Sequence, residues 1–137
     1  MSPLLLAALI AVESSGNDLA IGDGGRAFGC LQIRKEALQD VNRVHHTHYT
    51  RQDCFDRFTA MQICQAYLNL YAKNQSPRQQ ALVWHYGPTG ARHHRNSDYA
   101  LRVEMEMIRI RNAEPFSITF PTGIESEDQP PRIRLKR

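Results

Sequence analysis

Glu13 closes the most apolar stretch of the chain, the run from Leu4 to Val12, and Ser14, Ser15 and Gly16 follow it at once. On a helix of about 3.6 residues per turn, Leu6, Leu9, Ile10 and Glu13 fall on one stripe, so the carboxylate continues the apolar face. A carboxylate placed there is expected to lose hydration, which disfavours its charged form. A carboxyl that keeps its proton in a cleft near neutral pH is what a general acid needs to protonate a leaving-group oxygen in glycoside cleavage. The plain alternative is a helix-end glutamate bonded to backbone donors or reaching water.

Three further segments carry groups suited to holding a sugar. "GDGGRAFGCLQI" is a glycine-punctuated loop leading into Gln32, whose amide offers a donor and an acceptor to hydroxyl and acetamido groups. Its alternative is a helix-start glutamine bonded to backbone. "VWHYGPTG" sets Trp84, His85 and Tyr86 just before a sharp turn, a cluster of rings with polar tips that makes either cleft walls or core. Tyr99, near the start of the last expected helix, is likewise a core residue or a cleft wall.

Hydrolysis of a glycoside usually uses a second carboxylate, about 5 Å away in retaining enzymes and ~6.5–9.5 Å in inverting ones. Asp18 and Asp23 are the candidates, but "NDLAIGDGG" reads as a turn sequence whose aspartates bond to their own backbone. The groups His45, His46, His48 and Cys54, and His93 with His94, lack the helical spacing of zinc proteases and read as connector residues. No metal or other cofactor is expected.

The elements that must position these groups are mainly helical. Ser2 and Pro3 suit a helix cap and first turn, and the helix should run to about Ser14. Residues 16–30 read as an irregular loop. "LQIRKEALQDVNRV" resumes helical periodicity, and residues 45–54 form a connector. "DRFTAMQICQAYLNLYAKN" is an amphipathic helix whose apolar surface is expected from Phe58, Met61, Cys64, Ala66, Leu68 and Tyr71. Ser76 and Pro77 open a further helix that "GPTG" ends. Ser97 or Asp98 caps a last one reaching about Asn112. Residues 1–113 thus form one domain, and 114–137 a C-terminal extension. In it "PFSITFPTGI" is expected to be extended, and the chain to be largely disordered after 124.

With 137 residues, the chain is long enough for one domain with a core, and 42% hydrophobic with 23% charged residues is ordinary for a soluble globular protein. A net charge of +3 suits an anionic polymer but is too small to argue for nucleic acid. No segment has the ~18 to 20 apolar residues of a membrane helix, so no stable membrane insertion is expected. The first apolar run lacks a basic leader and reads as a core helix, not a signal peptide. The odd number of cysteines, Cys30, Cys54 and Cys64, reads as buried thiols, with one disulfide plus a free thiol as the alternative.

"ESSGND…GRAFGCLQI…WHYGPTG…Y" resembles the lytic transglycosylase domain of the soluble-lytic type, within the lysozyme-like superfamily. Glu13-Ser14, Ala27 to Ile33, Trp84 to Pro88, and Tyr99 with Val103 match its pattern in order across roughly residues 3–110. The resemblance implies a mainly α, goose-type lysozyme-like domain with a cleft for peptidoglycan glycan strands. It implies Glu13 as the sole acid and base, cleaving the β-1,4 bond between N-acetylmuramic acid and N-acetylglucosamine to leave a 1,6-anhydro product. Ser14, Gln32, Trp84, His85 and Tyr99 would bind sugar or support Glu13. Goose-type relatives use aspartates after the glutamate, so a hydrolytic muramidase with Asp23 is the runner-up, and an idle glycan-binding module a third reading. In two places the chain departs from the pattern: His85 replaces the usual asparagine, and Tyr86 replaces a small residue and should narrow the cleft. By analogy with relatives that lack a leader, a phage particle or secretion machinery is the expected context, and the cell wall, in the periplasm or envelope, the place of action.

Overall fold

The computed structural model describes residues 1–118, and the side chains through 113. The first helix, α1 (Pro3–Ser14), begins as its cap predicts, with the Ser2 hydroxyl accepting from the Leu5 amide at 3.0 Å. Leu5, Ala8 and Leu9 are fully buried, and Leu6 and Ile10 nearly so, so α1 is a core helix. It ends where Ser15 (φ +55°) and Gly16 (φ +84°) enter the left-handed region and turn their amides back onto Ala11 and Ile10.

The glycine-rich segment is more ordered than an irregular loop. Two short strands, β1 (Ile21–Gly22) and β2 (Ala27–Phe28), pair antiparallel, Ile21 opposite Phe28, and Phe28 also bridges Ile33. The second helix, α2 (Lys35–His45), starts four residues later than expected, because Gln32 (φ +52°) sits in a left-handed turn that no helix accommodates. A 3₁₀ turn at Arg51–Phe55 occupies part of the expected connector.

Helix α3 (Arg57–Tyr71) corrects the expected apolar face. Its buried residues are Ala60, Ile63, Cys64, Tyr67 and Leu68, spaced by three and four. Phe58 lies about 200° round from Ala60 at ~100° per residue, and is 68% exposed. Met61, Ala66 and Tyr71 pack against the core only in part. Helix α4 (Pro77–Gly90) is capped by Ser76, and its regular part breaks at Gly87 (φ +84°). Ser97, not Asp98, caps α5 (Asp98–Ile118), its hydroxyl accepting from the Ala100 amide at 3.1 Å. The backbone of α5 is helical to Ile118, so Pro115–Ile118 are not extended; the rest of the expected extension lies outside the described residues.

Helix α1 packs mainly along α5, which in turn packs on α4, while α3 lies between α2 and α4. Leu5, Leu9, Leu31, Ile63, Leu82 and Val103 join these elements in one core. Burial of each such side chain contributes roughly 1.5–3 kcal/mol relative to exposure. All three cysteines are free thiols inside it.

Burial pushes the Cys30 and Cys54 thiols up to about 11, and the Cys64 thiol well above its ordinary value. The folded chain therefore disfavours thiolates that the unfolded chain accepts. The associated stability is complete below the unfolded value of 9.0 and drains away as pH climbs from there through about 11. The melting temperature should fall over that range, and Cys54→Ala should flatten the fall. A melting curve independent of pH up to about 11 would contradict this account.

Candidate active site

The C-terminal turn of α1 is held from two sides. The Ser14 hydroxyl donates to the Cys30 carbonyl at 2.8 Å and accepts from the Gly16 amide at 3.2 Å. Across the turn, the Arg57 guanidinium at the start of α3 donates to Asp18 Oδ1 at 2.8 Å and to the Gly16 carbonyl at 2.5 Å. Glu13 therefore projects from a fixed end of the helix, its side chain 11% exposed.

The loop opposite is clamped one carbonyl at a time. Gln32 Nε2 donates to the Gly29 carbonyl at 3.0 Å, Ser14 to Cys30, and Trp84 Nε1 to the Leu31 carbonyl at 3.2 Å. Glycine is required at one point of this arrangement and leaves room for the Gln32 side chain at another. A side chain at Gly29 (φ +80°) would run into the Cys54 carbonyl, and one at Gly22 would strike the Gln32 amide oxygen. The polar atoms of Ser14, Gln32 and Trp84 thus act first on the protein's own backbone, holding the loop against α1.

Tyr99, 4% exposed, stands behind Glu13 and donates its phenol proton to Glu13 Oε2 at 2.7 Å. Burial, then the neighbouring carboxylate, pushes that phenol well above its ordinary value, so it remains a neutral donor. His85 stacks on the Tyr99 ring at 3.9 Å between centroids and 12° between planes, with Nδ1 3.7 Å from Glu13 Oε2. That distance is too long for a hydrogen bond and short enough for a charge pair when the imidazole is protonated. Tyr86, next in sequence, stacks on His94 at 3.8 Å, and the His94 ring bonds the Gly90 carbonyl.

These elements enclose a cleft of about 760 Å³, within the range of ligand sites. Glu13, Gln32, Trp84 and His85 line it, as do Asp23, Arg34, Glu36, Tyr67 and Tyr86. Ser14 and Tyr99 support the wall from behind. Tyr67 and the charged pair at the start of α2 escaped the sequence reading. Tyr67 is one more buried member of the α3 stripe, edge-on to Trp84 at 5.4 Å, its phenol pushed up to about 12 by burial. The one available hint to Arg34 was its position straight after the Gln32-Ile33 motif. Asp23 is committed to arginines: Oδ2 lies 2.5 Å from Arg34 Nη2 and 3.6 Å from Arg26 Nε. Asp18 is paired with Arg57. His45, His46, His48, His93 and His94 are exposed, and among the described residues no three His, Cys, Asp or Glu side chains gather as a metal site requires.

A helical domain with a short hairpin, whose cleft holds one sheltered glutamate at the end of its first helix, is lysozyme-like in build. The chain belongs to the Transglycosylase SLT domain family, which matches residues 1–103. A comparison with curated proteins returns no match. Membership gives the general class of action, cleavage of glycosidic bonds in peptidoglycan. No helix among the described residues is long and apolar enough to cross a membrane.

Tyr99→Phe removes the phenol donor while keeping the ring against His85. Loss of one hydrogen bond to a sheltered carboxylate should cost about 1.5–3 kcal/mol, and clearing of a peptidoglycan suspension should slow at least roughly tenfold. Unchanged clearing by a well-folded Phe variant would remove Tyr99 from the working site.

Proposed function

We propose that the protein is a lytic transglycosylase acting at the cell envelope on the β-1,4 bond between N-acetylmuramic acid and N-acetylglucosamine, with Glu13 as acid and then base. The Glu13 carboxyl gives its proton to the bridging oxygen as the bond to muramic C1 breaks. The muramic C6 hydroxyl then attacks C1, returning its proton to the Glu13 carboxylate. A 1,6-anhydro ring closes, and no water is consumed. The Tyr99 phenol keeps the carboxylate oriented through both steps.

One observation carries this reading: Glu13 is sheltered in the cleft and oriented by a phenol, while the nearby aspartates are held by arginines. An aspartate bound to a guanidinium is poorly disposed to activate water, so the contacts of Asp23 favour the internal nucleophile over hydrolysis. Trp84, Tyr67 and Tyr86 supply ring surfaces for sugars, and Gln32 and His85 supply polar atoms at the wall.

Glu13→Gln keeps the shape and the acceptor oxygen but cannot donate a carboxyl proton. It should still bind glycan strands and cleave them at least about a hundredfold more slowly. Mass analysis of fragments released by the unsubstituted chain should find ends lighter by ~18 Da than hydrolysis would leave. Ends carrying the added water would replace this proposal by a muramidase, and equal behaviour of the two chains by a glycan-binding module.

A further inference from the structure

The cleft wall carries charge that a neutral sugar strand does not call for. Arg34, Asp23 and Glu36 line the same cavity as Glu13, contributed by the turn between β1 and β2 and by the start of α2. N-acetyl sugars offer hydroxyls and amides, which call for ring faces and neutral polar groups and not for charge. Peptidoglycan also carries a short peptide on each muramic lactyl group, and its ionised groups, carboxylates with an amine, are concentrated there.

We propose that Arg34 is a specificity-determining residue that binds a carboxylate of this stem peptide, making peptide-bearing strands the preferred ligand. The inference rests on the cleft taking glycan strands, as proposed above. Asp23 Oδ2 lies 2.5 Å from Arg34 Nη2, and among the described residues Arg34 has no other ion-pair partner. A guanidinium has five donors in a fixed fork, so pairing with one carboxylate leaves donors that can take a second, planar carboxylate. The side chain is 51% exposed, open enough to meet a ligand entering from solvent. Glu36, exposed on the first turn of α2 and without an ion pair among the described residues, gives the same wall a negative group for the amine of the peptide. A wall of mixed sign fits a ligand of mixed sign, and it penalises a peptide brought in with its charges reversed.

The test reads binding without turnover. The Glu13→Gln chain is titrated with purified glycan strands bearing stem peptides, and with the same strands stripped by an amidase. Arg34 should give the peptide-bearing strands an affinity about five- to tenfold higher, as one charge-assisted contact at a half-exposed site allows. Adding Arg34→Gln should abolish that preference and leave binding to stripped strands unchanged. Salt near 1 M, where the Debye length is ~3 Å, should also remove it. Arg34→Lys, which keeps the charge beside Asp23 but loses the fork, should weaken the preference and decides the matter if the Gln variant folds poorly. Equal affinity for both strands with Arg34 in place overturns the inference, as does the same loss on both strands, which would mark the Arg34–Asp23 pair as structural only. A native chain that prefers peptide-bearing strands yet releases no anhydro product overturns the proposed function and leaves this inference standing. Failure to bind either strand overturns both.

Discussion

A single hydrogen bond joins residues 86 positions apart in sequence, the Tyr99 phenol and the Glu13 carboxylate, and the rest of the site is arranged around it. It exists because α1 and α5 pack side by side, with the end of one next to the start of the other. Neither residue is useful without that packing. A glutamate at a free helix end would turn to water, and a buried tyrosine without an acceptor would strand its hydroxyl. Burial keeps the phenol protonated, and the protonated phenol fixes which way the carboxylate faces. Stability and chemistry share one contact.

The same economy governs the opposite wall. Gly29, Cys30 and Leu31 turn consecutive carbonyls toward Gln32, Ser14 and Trp84, residues drawn from three parts of the chain. Each satisfied carbonyl removes the cost of an unpaired polar group beside the core. Together they lock a loop that two left-handed residues, Gly29 and Gln32, bend away from regular structure. Side chains that look like ligand binders in the sequence therefore also work as scaffolding, through polar atoms that hold the loop in place.

His85 shows how a departure from the family pattern is absorbed. Its ring lies flat on Tyr99, a contact no asparagine amide reproduces in area, and its Nδ1 looks toward the same carboxylate oxygen that the phenol holds. Tyr86, where a small residue is usual, reaches the cleft wall and is steadied by stacking on His94. The two substitutions sit side by side, and each ring has found a planar partner.

The sequence by itself marked where most helices lie, two of their caps and the candidate acid. Ser2-Pro3 and Ser76-Pro77 start helices by local hydrogen bonds, and the stripe through Leu6, Leu9, Ile10 and Glu13 follows from helical period alone. Such features depend on residues a few positions apart, so they are written in the order of the letters. The left-handed Gln32, the exposure of Phe58, the capture of Asp23 by Arg34 and the meeting of Tyr99 with Glu13 were decided only by tertiary structure. Each depends on which distant surface arrives to cover a group, and periodicity carries no information about arrivals. A helix can announce that it has a buried face, but the neighbour that buries it decides which side chain finds a partner and which is left in water.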